Sequence, residues 1–401
     1  MTDPKGSDSP GMLIMIVGAK GAVAATLAAA VKAIGLQPEI VLPSLTTAEK
    51  FAFLGPVANI HLAGWDLDSR PLSQRIGAQG VLPVDLWRPL ADELDAITIL
   101  PPPDAAWDFG AQVERLAQDM DDFRQSCPDA RPVLVNLLPA CVDPDVSDCP
   151  GYADLCAASE RIGSPDLAYA MAAVRQGIPV VNFSPNRIEV PALVAEAEAL
   201  QVPICGRDGK TGQTFFKVVL ASALKARGLY VDGWYSLNIL GNADGRNLMD
   251  PERAAGKVSN KTHLLDDILG YPVGERYDAP AHTVRIDYYP PRGDAKEAWD
   301  VIDFQGLFGL PMGLRLNLQG RDSILAAPMA LDLARWMTAL HLAGFSGPVP
   351  HLGFFFKKPV GENPPQSFQA QLAALERLER EVETRLGKKP GSEGSRGQGF
   401  E

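Results

Sequence analysis

The chain has 401 residues, enough for one large or two medium domains, and its 46% apolar and 21% charged residues are those of an ordinary globular enzyme. A formal net charge of −12 without any basic face argues against nucleic acid as a partner, so an anionic ligand must be held by a local cluster of cations. No apolar run reaches the ~20 residues of a membrane helix, and five cysteines without a CxxC pair, beside scattered histidines, predict a reduced cytoplasmic protein with no metal site.

Residues 1–11 carry no basic start and no apolar h-region, and read as a disordered leader. "MLIMIVGAKGAVAATLAAAVKAIG" (12–35) then reads as buried strand, tight turn and Ala-rich helix. Its turn, Gly18-Ala19-Lys20-Gly21-Ala22-Val23-Ala24, has the strand–turn–helix context of a dinucleotide fingerprint, spaced GxxGxxA instead of GxGxxG. Gly18 permits the sharp turn and Gly21 lets backbone approach a pyrophosphate at the helix start. An ordinary strand–helix turn is the alternative. Glu39, about 20 residues on, is the candidate acid for the adenosine ribose.

Short apolar runs continue at 39–42, 58–64, 96–100, 132–138, 178–185 and 202–205, with helical stretches near 109–120, 165–176 and 191–200. Continuous apolar strands alternating with helices predict an α/β fold whose parallel sheet is covered on both faces. After 212 the pattern changes. "HTVRIDYY" (282–289) and "LRLNLQ" (314–319) alternate apolar with polar, which predicts an antiparallel sheet with one covered face. Helix returns from 329, and 368–386 carries an amphipathic stripe before a disordered tail at 387–401.

"GRDGKTGQTFFK" (206–217) contains Gly-Lys-Thr ahead of a helix, but a P-loop needs glycine where Ile204 stands. The turn can still hold a phosphate monoester through backbone amides and through Thr211, Gly212, Gln213 and Thr214; a plain turn-rich loop is equally compatible with these residues. Downstream, Lys257 and Lys261 lie four apart on one helical face behind an Asp250-Pro251 start, a spacing that by itself favours a plain solvated lysine face. Lys296 sits in "RGDAK" and Lys357 follows three phenylalanines, so the stem of Lys357 must be buried.

Taken together, these stretches resemble the myo-inositol-1-phosphate synthase family, also called inositol-3-phosphate synthase. "GRDGKTGQT" is similar to its GDDxKSGQT loop, and "LGNADGRNL…K…NK…DD" (240–267) to its LGNNDGxNL block. "VNFSPN" (181–186), "SLT" (44–46), "GWD" (64–66), "GDAK" (293–296) and "DSILAAPMALDL" (322–333) follow the family's other motifs in order. The family's GGNNG turn is here "KGAVA" (20–24), and its NGSP is NFSP, with Phe183 in place of glycine.

The resemblance implies a Rossmann-type NAD-binding domain (12–211 plus 332–386) and an inserted α+β catalytic and oligomerisation domain (212–331), assembled as a homotetramer. It implies conversion of glucose 6-phosphate to inositol 3-phosphate through oxidation at carbon 5, enolisation, an intramolecular aldol step and reduction, with NAD regenerated. By motif, Lys257, Lys261, Lys296, Lys357 and Asp208 fall on catalytic positions. Gly18, Ala19, Lys20, Gly21, Ala22, Val23, Asp66, Ser184, Asp244, Asp294 and Asp332 fall on or near cofactor positions, and 211–214 on the substrate phosphate. Lysines crowded in a dry site would stabilise the enolate and alkoxide and serve as bases. The drifted cofactor turn leaves two other readings open: an NAD enzyme acting on a different sugar phosphate, and a non-catalytic binder.

Overall fold

The structure, a computed structural model, describes residues 11–36, 44–46, 57–242, 245–246, 249 and 264–387. The predicted strand at 39–42 and Glu39 therefore lie outside the described residues, as do Asp244, Lys257 and Lys261.

The first layer is built from β1 (Met12–Val17), α1 (Ala22–Leu36), β2 (Ile60–Trp65), α2 (Leu72–Gln79), α3 (Val84–Trp87), α4 (Ala91–Asp95), β3 (Thr98–Leu100), α5 (Phe109–Ser126), β4 (Arg131–Asn136), α6 (Tyr152–Ala157), α7 (Asp166–Arg175), β5 (Val180–Asn182), α8 (Pro191–Ala199) and β6 (Pro203–Gly206). Here α9 (Gln213–Ala226) leads into β7 (Tyr230–Leu240), β8 (His282–Tyr288), β9 (Ala295–Gln305) and β10 (Pro311–Arg321). The chain closes with α10 (Asp322–Leu342), β11 (Gly347–Pro348) and α11 (Phe368–Arg385).

The first seven-stranded sheet has the order β11-β6-β5-β4-β1-β2-β3, and its pairs are parallel. Its strands read as unbroken apolar runs because both faces are covered. Met12, Ile14 and Ile16 of β1 pack toward α1 and α10, while Leu13, Met15 and Val17 pack toward α5 and α7. Strand order reverses across β1 and β4, the place where doubly wound sheets open a crevice beyond their carboxyl ends. Asp108 caps α5 by accepting the Ala111 N–H at 2.8 Å, and Ser367 caps α11 by accepting that of Ala370 at 3.2 Å.

The second sheet, β10-β9-β7-β8, corrects the antiparallel expectation. The pairs β7–β9 and β9–β10 are antiparallel, but β7–β8 is parallel, so the sheet is mixed. Alternation reveals one covered face and says nothing of direction, and the long connection 241–281 supplies the crossover that a parallel pair needs. Val231, Trp234 and Ile302 cover the inner face under α9, with Leu265 and Ile268. Helix α10 also starts at Asp322, ahead of the expected 329, and runs through Pro328.

Candidate active site

The segment leaving β6 forms an antiparallel ribbon with the chain after the β11 loop. Arg207 N–H donates to Lys358 O at 2.7 Å, Lys357 N–H to Asp208 O at 2.8 Å, and Lys210 N–H to Phe355 O at 2.8 Å. This main-chain register sets Asp208 opposite Lys357, and Lys357 Nζ meets Asp208 Oδ1 at 2.7 Å. Asp208 adopts φ 60°, a turn conformation that aspartate tolerates better than most residues. The Phe183 ring lies directly over Gly209; a Cβ built there would be 2.1 Å from its Cζ. Phe183 also accepts the Gly209 N–H at 3.1 Å, and Ser184 O accepts that of Asp208 at 2.9 Å.

A second ion pair stands beside the start of α9. Lys296 faces Gly320 across the β9–β10 pairing and reaches the end of β10, where its Nζ contacts Asp322 Oδ2 at 2.9 Å and Oδ1 at 3.3 Å. Thr211 Oγ1 donates to the same carboxylate at 3.2 Å. Burial alone would raise the Asp322 pKa, but Lys296 and, behind it, Lys357 outweigh that and hold it below the ordinary carboxylate value. Lys296 and Lys357 thus act on one acid although they are far apart in sequence. Gly212 precedes the helix without a side-chain cap, and the first main-chain bond runs from Phe216 N–H to Gly212 O. The amides of residues 213–215 are those a helix start leaves for an outside acceptor. Gln213 and Thr214 are buried, with the Gln213 side chain turned toward the second sheet.

Lys210 takes no part in an ion pair of this kind. Its buried Nζ donates to Gly353 O at 3.0 Å and to Gln371 Oε1 at 2.8 Å, tying the turn to α11. Burial and then repulsion from Lys357 lower its pKa to about 7. Folded Lys210 therefore binds fewer protons than unfolded Lys210 between about 7 and its ordinary 10.5. Stability should rise with pH across that window, by up to about 1.4 kcal/mol per pH unit for one proton, and be lost as pH falls through about 7. Chemical denaturation of the Lys210→Met variant between pH 7 and 9.5 is expected to show a shallower slope of stability against pH. An unchanged slope would contradict the assignment.

The glycine turn closes tightly on β2. Gly18 (φ +81°) and Ala19 both donate their N–H groups to Trp65 O at 3.0 Å, and Gly21 N–H donates to Gly18 O at 3.0 Å. Asp66, directly after β2, accepts the Lys20 N–H at 2.8 Å and the Asp68 N–H at 2.9 Å. The Lys20 ammonium is turned to the carbonyls of Asp68 and Arg70, at 2.7 Å from the latter. The first bond of α1 runs from Ala25 N–H to Gly21 O, so the amides of Ala22, Val23 and Ala24 precede the helical ladder. Asp66 is the acid that directly follows β2, one of the two neighbours of β1.

Asp332 is buried in α10 and gathers residues 44–46. It accepts from Leu45 and Thr46 N–H at 3.0 Å each, from Thr46 Oγ1 at 2.6 Å and from Ser44 Oγ. Burial keeps its pKa raised in spite of these donors. Asp294, ahead of β9, accepts from Ser323 Oγ at 3.2 Å, while its Oδ2 is buried with no hydrogen-bond partner among the described residues. Burial raises the pKa of Asp294 too. Ser184 is buried and accepts the Asn186 N–H at 3.3 Å.

Of the expected site residues, the structure brings Asp208, Lys296, Lys357 and Thr211 into one neighbourhood with Gly212, whose Cβ position would be 3.8 Å from Asp322 Oδ1. Asp322 and Lys210 were not picked out from the sequence. Asp322 stands at the head of the quoted "DSILAAPMALDL", so motif position was the signal available. No group of three or more metal-ligating side chains occurs among the described residues, and no helix of theirs is long and apolar enough to cross a membrane.

The family model for myo-inositol-1-phosphate synthase matches residues 212–323, the stretch that runs from the α9 turn to Asp322. Inositol-3-phosphate synthase 1 of Bacteroides thetaiotaomicron is 34% identical over 388 residues, covering 86% of this chain and 89% of that protein. Inositol-3-phosphate synthase of Spirodela polyrhiza is 32% identical over 314 residues, and the match spans 71% of this chain and 61% of the plant protein. The crystal structure of inositol-3-phosphate synthase from Caenorhabditis elegans superposes with a TM-score of 0.82 at 22% identity, covering 94% of this chain and 86% of that one. A myo-inositol-1-phosphate synthase-related protein from Thermotoga maritima gives 0.74 at 23% identity, covering 95% and 100%. The chain belongs to the myo-inositol-1-phosphate synthase family.

Proposed function

We propose that this protein is an inositol-3-phosphate synthase that cyclises glucose 6-phosphate with bound NAD. The observation that carries the reading is the pair of ion pairs, Lys357–Asp208 and Lys296–Asp322, beside the start of α9. Two partly buried ammonium groups held by carboxylates are suited to charge that develops on a sugar oxygen.

The residues at the carboxyl end of β1 fit a dinucleotide. Gly18 makes the turn, and the amides of Ala22 and Val23 point from a helix start, where a pyrophosphate is favoured. Gly18, Ala19, Lys20 and Gly21 would wrap it by backbone, Lys20 serving through its main chain because its amine holds the 68–70 loop. Asp66, Ser184, Asp294 and Asp332 would frame the rest of the cofactor, with Asp244 from outside the described residues. When bound, NAD would supply a hydride acceptor for carbon 5 and return that hydride later.

The chain's own residues do the remaining work. The amides at 213–215 and the Thr211 hydroxyl would hold the phosphate, leaving the other end of the open sugar free to swing round. Lys357, oriented by Asp208, would bear on the carbon 5 oxygen and on removal of the carbon 6 proton. Lys296 would hold phosphate or a developing oxyanion. Lys257 would carry the carbon 5 hydroxyl proton, and Lys261 would join Lys296. We assign 12–211 plus 332–386 to cofactor binding and 212–331 to catalysis and assembly. The outer face of the second sheet exposes Tyr235 and Trp299, and we assign it to assembly of a homotetramer.

Incubation with glucose 6-phosphate and NAD should yield a phosphatase-releasable cyclitol with no net NADH, and Lys257→Ala should abolish turnover while NAD binding survives. Accumulation of NADH without a cyclitol would mean a sugar-phosphate dehydrogenase instead.

A further inference from the structure

The start of α9 has no side-chain cap, yet its first residue is held from below. Gln213 Nε2 donates to Asp300 Oδ2 at 2.9 Å, and Gln213 Oε1 accepts from Asn238 Nδ2. The amide is thereby clamped at both ends, in one orientation, against β9 and β7. Asp300 is 2% exposed and its other oxygen accepts from Trp234 Nε1 at 2.7 Å and Ser236 Oγ at 2.6 Å. Lys217, one turn beyond Gln213 on α9, is equally buried and lies 2.8 Å from His282 Nε2. Burial lowers the Lys217 pKa to about 8, and the Asp300 charge works in the opposite direction.

A buried carboxylate with three side-chain donors and a cation nearby is costly to keep unless each partner is in place. The network therefore has one geometry, and Gln213 is the member that belongs to the phosphate turn. We propose that Asp300 is a positioning residue for that turn: acting through Gln213, it fixes the helix start whose amides receive the substrate phosphate. The inference rests on the function proposed above and adds to it a residue that never touches substrate. A loss of this kind weakens ground-state and transition-state binding alike, so it falls on KM more than on kcat.

The test is a double-mutant cycle on cyclitol formation from glucose 6-phosphate, with thermal denaturation alongside. Asp300→Asn is expected to raise KM about tenfold with kcat within about threefold, and Gln213→Ala to do the same. Because Asp300 acts through Gln213, the double variant should add less than about twofold in KM to either single one. Multiplying KM effects, or an unchanged KM in Asp300→Asn, would overturn the inference while leaving the function intact. A wild-type protein that makes no cyclitol would overturn the function and this inference with it. If Asp300→Asn does not fold, Asn238→Ala, which frees the other end of the Gln213 amide, enters the same cycle with the same expected coupling.

Discussion

Lys357→Met is expected to lower kcat by about 10²–10³-fold, the usual loss when one preorganised donor to a developing oxyanion is removed. Lys357 sits where three interactions meet. It pairs with Asp208 at 2.7 Å, it helps to hold Asp322 ionised, and it depresses the pKa of Lys210. Methionine keeps the length and the apolar stem but removes all three effects at once. Asp208 loses the ammonium, the Asp322 pKa moves up toward its ordinary range, and that of Lys210 moves up as repulsion is relieved. Lysine-to-arginine exchange should rescue little, since a planar guanidinium fork does not place its donors where the compact ammonium places its own. The checks are kcat and KM for cyclitol formation, with fluorescence titration of NAD as the control. A variant with kcat within tenfold of wild type would remove Lys357 from the chemistry.

Gly209→Ala is expected to destabilise the fold by about 1–3 kcal/mol, the range for overpacking a filled site, and to lower kcat by about 10²-fold. The added methyl would meet three carbons of the Phe183 ring at 2.1, 2.2 and 2.6 Å. The ring is 9% exposed and meets Phe356 edge-on at a centroid distance of 6.4 Å, so it has little room to withdraw. Gly209 bridges to Phe356 between Asp208 and Lys210, and a shift there moves Asp208 relative to Lys357. In a Phe183→Ala background, which itself loses the stability of a buried ring, Gly209→Ala should cost little more, a coupling that isolates the steric cause. Equal stability of Gly209→Ala and wild type in urea would show that the ring yields freely.

Particular elements show why sequence revealed some of this and hid the rest. Strands β1, β4 and β6 were legible because two covered faces require an unbroken apolar run, which few other structures do. The direction of β8 was hidden because a half-covered strand alternates the same way in either sense. The start of α10 was hidden by Pro328, which reads as a breaker although the helix carries it within its run. At the candidate site, motif singled out Lys296, Lys357 and Asp208, and the structure brings them into one neighbourhood. Asp322 acquired meaning only when the β9–β10 register brought Lys296 to it. The Gly-Lys-Thr of the turn fails as a P-loop and left the Lys210 amine without a role. That amine faces Gly353 and Gln371, partners that no local pattern could supply.

The most direct measurement follows the hydrogen on carbon 5. With glucose 6-phosphate carrying deuterium there, a site that withdraws that hydride, closes the ring and gives it back should return the label to the cyclitol in full, with none in free NADH. Deuterium found in released NADH, or an open-chain oxidised sugar phosphate as the product, would contradict the cyclase account.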